Sequence, residues 1–191
     1  MKILFIGNSY TYFNDMPALF EAECKNSGAN VQVDSVTAGG YRLSQFLSEE
    51  DEYAKKVRQL LDGRKYDYVV IQGQSVYPVT ETETFLKCVS EFDRMIKANG
   101  AKTVLYETWG RADGSETLAR LGLTHDEMQD KLREAYETAA KETGALLVYA
   151  GDRFHEAYRA GKDVFDPDGS HPSLPGSLII AKEFCRVLLQ L

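Results

Sequence analysis

Five short apolar runs, separated by stretches with helical periodicity, constrain the fold of this chain more than any other feature. The runs cover residues 2–6, 31–36, 67–71, 103–106 and 145–149. Helical patterns occupy 16–27, 43–61 (with a break near 48–50), 81–99, 124–143, 152–160 and 174–191. Strands that alternate with helices predict a parallel sheet covered on both faces. We therefore expect an α/β fold, a three-layer α/β/α flavodoxin-like sandwich of five parallel strands in the order 2-1-3-4-5.

The size and charge of the chain favour an ordinary globular domain. Its 191 residues fit a single domain spanning 1–191. A chain of this length buries roughly 70% of its unfolded surface, so its stability requires neither a disulfide nor a metal. The 22 basic and 29 acidic residues give a net charge of −7, which argues against a nucleic-acid partner because phosphate binding needs a basic patch.

The cysteines and the apolar runs indicate the cellular environment in which the protein works. Cys24, Cys88 and Cys185 are far apart in the sequence, so we expect free, buried thiols and neither a disulfide framework nor a metal site. No apolar run approaches the roughly 20 residues that span a bilayer, and Lys2 leads directly into a short strand without a signal-peptide pattern. We therefore expect a cytoplasmic protein without membrane contact, with export through a removed secretion signal as the alternative.

A serine follows the first predicted strand at the point where the chain must turn. The segment Gly7-Asn8-Ser9 comes directly after residues 2–6. The carboxyl ends of parallel strands form the edge where open α/β folds bind their ligands. We interpret Ser9 as a nucleophile, with the alternative that these three residues form only a turn.

Near the other end of the chain, a carboxylate and an imidazole are three positions apart. In a tight turn, the spacing of Asp168 and His171 lets the carboxylate accept a hydrogen bond from one ring nitrogen while the other faces outward. Such a carboxylate fixes the tautomer of a catalytic base and stabilises its imidazolium form. Pro167 and Pro172 restrict the turn, and Ser173 is placed to cap the last helix.

The two other histidines, and the two other aspartates near His171, are weaker candidates for a catalytic role. We expect His125 and His155 to be structural or solvent-facing, because neither has a nucleophile or a rigid turn beside it. Asp163 and Asp166 lie in the same loop as His171, with a less favourable spacing.

Other polar groups end the strands at the same edge and could stabilise an oxyanion. The backbone N–H groups of Ser9 and Gly40 and a side-chain amide from Gln72 or Gln74 are candidate donors. One of the two glutamines is expected only to tie its loop together. Residues 10–15 are expected to form an aromatic polar loop, and 111–122 a mobile rim.

These residues resemble the SGNH (GDSL-type) hydrolase superfamily, within it a branch of small bacterial esterase-like domains that begin ILFIGNS. The resemblance places the family's serine at Ser9, with Asn8 where aspartate is more usual. It places the glycine donor of the second block at Gly40, and the final D-x-x-H at Asp168 and His171.

The third block departs from the family's usual glycine-x-asparagine. The chain has Gln72-Gly73-Gln74-Ser75 instead, which is similar to the Q-G-E-S of the sialic-acid and xylan acetylesterase branches. That similarity implies that Gln72 is the side-chain oxyanion donor and that Gln74 lies where those branches have glutamate.

The resemblance implies ester hydrolysis through an acyl-serine intermediate, without a metal or organic cofactor. Ser9 would attack, His171 would transfer the proton and Asp168 would orient it. The implied substrate is a small-molecule or carbohydrate ester, with acetyl on a sugar hydroxyl favoured. Four aromatic residues could stack on sugar rings: Tyr10, Tyr12, Tyr77 and Trp109.

Two alternatives stay open. The first is a flavodoxin-like binding module that holds a phosphate after the first strand; it is poorly supported, because no Lys or Arg lies between Gly7 and Glu23. The second is a hydrolase homologue that binds carbohydrate without turnover. The sequence specifies no oligomeric state.

Overall fold

The predicted strands form one parallel sheet in a computed structural model that describes residues 1–190. The strand order is β2-β1-β3-β4-β5, and every neighbouring pair is parallel. Helices lie on both faces, so the three-layer α/β/α prediction is confirmed. The strands are β1 (Lys2–Gly7), β2 (Gln32–Thr37), β3 (Tyr68–Gln72), β4 (Lys102–Tyr106) and β5 (Leu146–Val148).

Ten helices connect and follow these strands within residues 1–190. They are α1 (Ser9–Tyr12), α2 (Met16–Asn26), α3 (Leu43–Leu47), α4 (Glu52–Gly63), α5 (Tyr77–Thr80), α6 (Thr82–Asn99), α7 (Glu116–Leu121), α8 (His125–Thr143), α9 (Ala150–Arg159) and α10 (Leu174–Leu188). The predicted extension of the last helix to residue 191 ends outside the described residues. No helix within residues 1–190 has both the length and the apolar composition to span a bilayer.

The sheet separates two apolar cores. Alternate side chains of β1 point to opposite faces, so Leu4 and Ile6 enter the core beneath α3, α4, α6 and α8, while Ile3 and Phe5 enter the one beneath α2, α9 and α10. All four side chains are fully buried. The continuous apolar run of β1 thus reflects a strand covered on both sides.

Local capping explains where several helices begin. Thr124 and Glu127 form the capping box that begins α8. Ser173 Oγ accepts a hydrogen bond from Gly176 N and caps α10, as predicted. The predicted break near 48–50 is also confirmed, because Asp51 caps α4 as a separate helix.

Two segments predicted to be loops contain helical turns. Residues 10–15 form α1 and a 3₁₀ turn (Phe13–Asp15), because the Asn8 side chain accepts from Tyr10 N and begins a helix at once. The predicted mobile rim at 111–122 contains α7, and Ala112 N donates to Gly169 O across to the next loop. The three cysteines are free and buried.

Candidate active site

The turn after β1 is fixed by hydrogen bonds to the end of β3 and to the loop after β2. Ala38 N donates to Gly7 O at 3.1 Å. Asn8 N donates to Gln72 Oε1 at 2.9 Å, and Asn8 Nδ2 donates to Tyr41 O at 3.0 Å. These contacts hold Ser9 at the carboxyl edge of the sheet, between the loops that follow β2 and β3.

Ser9, His171 and Asp168 form a continuous hydrogen-bonded chain. Ser9 Oγ lies 2.8 Å from His171 Nε2, and His171 Nδ1 lies 2.5 Å from Asp168 Oδ2. A carboxylate at Nδ1 favours the tautomer with its proton on that atom, so that Nε2 accepts from the serine hydroxyl. The structure therefore brings together the nucleophile, the base and the carboxylate that the sequence predicted. Their arrangement allows the imidazole to remove a proton from the serine.

The Asp168 carboxylate is held in its ionised form. Partial burial raises its pKa, but hydrogen bonds from the ring and backbone N–H of His171 and from Ser170 N outweigh that effect, and its pKa is lowered. Its Oδ1 accepts from Ser170 N at 2.8 Å and from His171 N at 2.9 Å. The same side chain thus shapes the turn and orients the imidazole.

The loop that carries His171 closes on itself. Asp166 N donates to His171 O at 2.8 Å, and Gly169 N donates to Asp166 O at 2.9 Å. Gly169 has a φ of 64°, which a glycine adopts without strain. Asp163 and Asp166 do not contact the imidazole in this arrangement, so their side chains stay outside the hydrogen-bonded chain.

Tyr10 and Trp109, which were expected to bind substrate, instead support this loop. Their rings stack at 4.5 Å with an interplanar angle of 2°, and only 3% of Tyr10 and none of Trp109 is exposed. Tyr10 Oη lies 3.0 Å from Ser170 Oγ, and Trp109 Nε1 donates to Ser170 O at 3.0 Å. The substrate-stacking prediction is therefore wrong for both rings, because tertiary packing uses their faces and polar atoms to position the residue before His171.

The other two aromatic candidates differ in exposure. Tyr77 is buried, with the Arg42 guanidinium 4.1 Å from its ring centroid. Tyr12 is 42% exposed and keeps a ring accessible near Gly39. Only Tyr12 of the four predicted rings is therefore open to a ligand.

Sequence reasoning missed Phe13, whose ring stacks on His171. The ring centroids are 4.2 Å apart and the planes differ by 16°. Two residues in the left-handed region, Asn14 and Asp15, follow it, and Asn14 Nδ2 donates to Pro172 O at 2.9 Å. The sequence signal for this sharp turn was the Asn14-Asp15 pair, because Asn and Asp tolerate the left-handed backbone conformation better than most residues.

The two glutamines after β3 have different environments. Gln72 is buried, and its Oε1 accepts from Asn8 N and from Thr11 Oγ1 at 3.0 Å, while its Nε2 contacts Gly73 O. Its amide thus braces the turn after β1, and its assignment as the oxyanion donor is corrected. Gln74 is partly exposed, and its Oε1 accepts from Val76 N at 3.1 Å. That bond uses the carbonyl oxygen of the Gln74 amide, and its NH₂ group has no partner among residues 1–190.

Two backbone donors lie at the same edge. Ser9 N and Gly40 N form no hydrogen bond with any other group in the described part of the chain. Gly40 is exposed and has a φ of 72°. The neighbouring bonds of Ala38 N and Tyr41 O hold its loop beside the Ser9 turn, so both predicted N–H groups are free to bind an anion.

The other two histidines form a structural pair away from this chain of bonds. Of the two expected roles, structural or solvent-facing, His125 takes the structural one: it is fully buried, its Nδ1 lies 2.7 Å from Arg111 O and its Nε2 lies 2.9 Å from His155 Nδ1. Burial lowers the pKa of His125. With Asp126, the pair has ligand atoms within 4.8 Å of one another, but Arg159 Nε already donates to Asp126 Oδ1 at 2.7 Å. These ligand atoms therefore already take part in hydrogen bonds within the protein.

A buried carboxyl group at the end of β4 supports the loop that carries Trp109. Glu107 Oε2 accepts from Asp152 N at 2.9 Å, and its Oε1 accepts from Gln129 Nε2 at 3.3 Å. Gln129 in turn accepts from Gly110 N at 3.0 Å. Burial and the nearby Asp152 carboxylate raise the pKa of Glu107 to about 9, so this group is neutral over most of the physiological range.

Comparison with solved structures finds similar proteins over the full chain. A protein from Slackia heliotrinireducens described as an SGNH hydrolase is 33% identical, with 98% of each chain covered and a TM-score of 0.86. A DUF4886 family protein from Bacteroides uniformis is 18% identical, with 100% of this chain and 83% of that one covered and a TM-score of 0.81. An acetyl-xylooligosaccharide esterase from Geobacillus is 18% identical, with coverage of 98% and 93% and a TM-score of 0.71. No family model and no curated protein matches the chain.

Glu107 makes a specific prediction for stability. Because its pKa is about 9 in the fold against an ordinary 4.5, the folded chain keeps a proton that the unfolded chain has lost. This contribution to the free energy of unfolding is full below the ordinary pKa and is lost as the pH rises through the higher one, with a slope of up to about 1.4 kcal/mol per pH unit. Urea unfolding at several pH values should show a shallower decline for Glu107→Gln, whereas the exposed Glu134→Gln should keep the wild-type slope. Equal slopes for all three proteins would show that Glu107 ionises normally.

Proposed function

The chain belongs to the SGNH hydrolases, and on that premise we propose that it is a serine esterase acting on small acyl esters through an acyl-serine intermediate. The observation that carries the proposal is the hydrogen-bonded chain from Ser9 Oγ through His171 to Asp168. A serine hydroxyl needs a base within hydrogen-bond reach to act as a nucleophile, and the distance of 2.8 Å to Nε2 meets that need.

The proposed reaction begins with proton transfer. His171 Nε2 takes the proton of Ser9 as Oγ attacks the ester carbonyl carbon. The resulting imidazolium is stabilised by the Asp168 carboxylate, which stays ionised. His171 then returns the proton to the departing alcohol, and water hydrolyses the acyl-serine by the same base. This route uses neither a metal nor an organic cofactor.

The oxyanion of the tetrahedral intermediate needs preorganised donors. In our proposal these are the backbone N–H groups of Ser9 and Gly40 and the NH₂ group of Gln74. The unpartnered state of all three within residues 1–190 supports this choice. Gln72 contributes indirectly, because its carbonyl oxygen holds Asn8 N and thereby the position of Ser9.

The favoured substrate is an acetyl ester of a carbohydrate. The acetyl-xylooligosaccharide esterase has the same fold at 18% identity, so this choice of substrate is compatible with the fold. The exposed ring of Tyr12, on the helical turn that begins with Ser9, offers a surface on which a sugar can stack.

The first test of the function is hydrolysis of 4-nitrophenyl acetate by Ser9→Ala. Loss of the nucleophile should lower kcat by roughly 10⁴-fold or more, to near background. Ser90→Ala, on α6 and outside the hydrogen-bonded chain, is the matched control and should retain wild-type kcat. Thermal unfolding of each variant would verify that it is folded. Equal rates for wild type and Ser9→Ala would remove Ser9 from the mechanism.

The second test separates the two glutamines. Gln74→Ala should lower kcat by about 10²-fold, as expected for loss of one oxyanion donor, with little change in the melting temperature. Gln72→Ala should lower the melting temperature, because it removes the acceptor of Asn8 N and Thr11 Oγ1. An unchanged kcat in folded Gln74→Ala would contradict the assignment of Gln74.

A further inference from the structure

An arginine without an acidic partner lies beside the proposed active site. Arg111 follows β4 in the loop after Trp109, and its Nη2 donates to Ser75 Oγ at 2.7 Å. Its guanidinium carbon lies 5.6 Å from the centroid of the Tyr10 ring. Tyr10 directly follows Ser9, and its hydroxyl contacts Ser170, the residue before His171. Arg111 therefore lies against a residue that links the nucleophile's turn to the loop of the base.

The positive charge of Arg111 is not balanced by any carboxylate of residues 1–190, since none lies within salt-bridge distance. Asp113, on the same loop as Arg111, is paired with Arg159, and Asp168 is hydrogen-bonded to His171. Arg111 is only partly exposed, and a charge removed from water in this way is normally paired. Its electrostatic partner is therefore expected to come from outside the chain.

The hydrogen-bonding groups of Arg111 are also incompletely used. Its Nε is buried and has no hydrogen-bond partner. Its Nη1 likewise has no partner among the described groups, and it is not buried. The Ser75 bond and the Tyr10 ring fix the orientation of the guanidinium. The buried Nε–H is not accessible to a ligand, whereas the N–H groups of Nη1 are held in place and accessible. Planar guanidinium groups with free N–H donors bind carboxylates with defined geometry.

We infer that Arg111 binds a carboxylate of the substrate, so that the esterase acts on anionic esters. This inference rests on the proposed function. The net charge of −7 repels anions at long range. An anionic substrate therefore needs a local attraction, and the fixed guanidinium of Arg111 supplies it. The carboxylate can belong to the alcohol or to the acyl part of the ester, and the guanidinium would recognise both in the same way.

Two matched substrate pairs distinguish these sources. 4-Acetoxybenzoate and its methyl ester differ by a carboxylate on the alcohol part. 4-Nitrophenyl hydrogen succinate and its methyl ester differ by a carboxylate on the acyl part. The measured quantity is the ratio of kcat/KM for the anionic member to kcat/KM for the neutral member, in the wild type and in each variant. Differences in intrinsic reactivity cancel when the variants are compared.

Arg111→Gln should lower this ratio by roughly tenfold or more for one of the pairs, since a hydrogen bond to a charged group is lost. The change should appear mainly in KM, because the contact exists before and during the reaction. Arg111→Lys keeps the charge and should retain part of the ratio. Arg120→Gln removes an exposed arginine from α7 and should leave the ratio at its wild-type value.

The result that overturns the inference is Ser9-dependent hydrolysis of the neutral esters with ratios that do not change in Arg111→Gln; the proposed function would then stand. If no ester is hydrolysed, the proposed function fails, and calorimetric titration with 4-acetoxybenzoate and with 4-nitrophenyl hydrogen succinate decides the inference. Binding that Arg111→Gln abolishes would support the carboxylate site, whereas binding that is absent or independent of Arg111 would overturn it.

Discussion

The hydrogen bond between Ser9 and His171 is the contact on which the rest of this structure depends. It joins side chains 162 positions apart in the sequence, so nearly the whole fold must form before it can exist. The parallel sheet makes the meeting possible, because β1 ends at the edge where the later loops also converge. Asp168 completes the alignment, since its two oxygens hold both the ring and the backbone of His171.

The supporting structure around this contact is largely aromatic. The stacked rings of Tyr10 and Trp109 hold the oxygen atoms of Ser170, while Phe13 covers the imidazole. Flat rings in a close-packed interior leave little freedom for the groups that they contact. The loop that bears His171 is therefore positioned by packing as much as by its own turn.

Much of the fold could be predicted from the sequence, because it follows from local periodicity. The capping box at Thr124 and the pairing of Asp168 with His171 depend on short-range patterns. The strand order follows from the alternation of strands and helices together with right-handed crossovers. The predictions that failed depend on tertiary packing. Trp109 is buried and does not face solvent, and the carbonyl oxygen of Gln72 accepts a hydrogen bond from Asn8 N. Sequence position places such residues at the edge of the sheet, but only the neighbours contributed by distant segments decide what each side chain contacts.

The most direct measurement of the central claim is covalent labelling of the nucleophile. A fluorophosphonate reacts with a serine oxygen that a neighbouring base has activated, and fluoride leaves. Intact-mass analysis with peptide mapping should find one phosphonyl group per chain, located on Ser9, and its rate of formation should fall sharply in His171→Gln. Labelling at another residue, or an equal rate of labelling without the imidazole, would contradict the account.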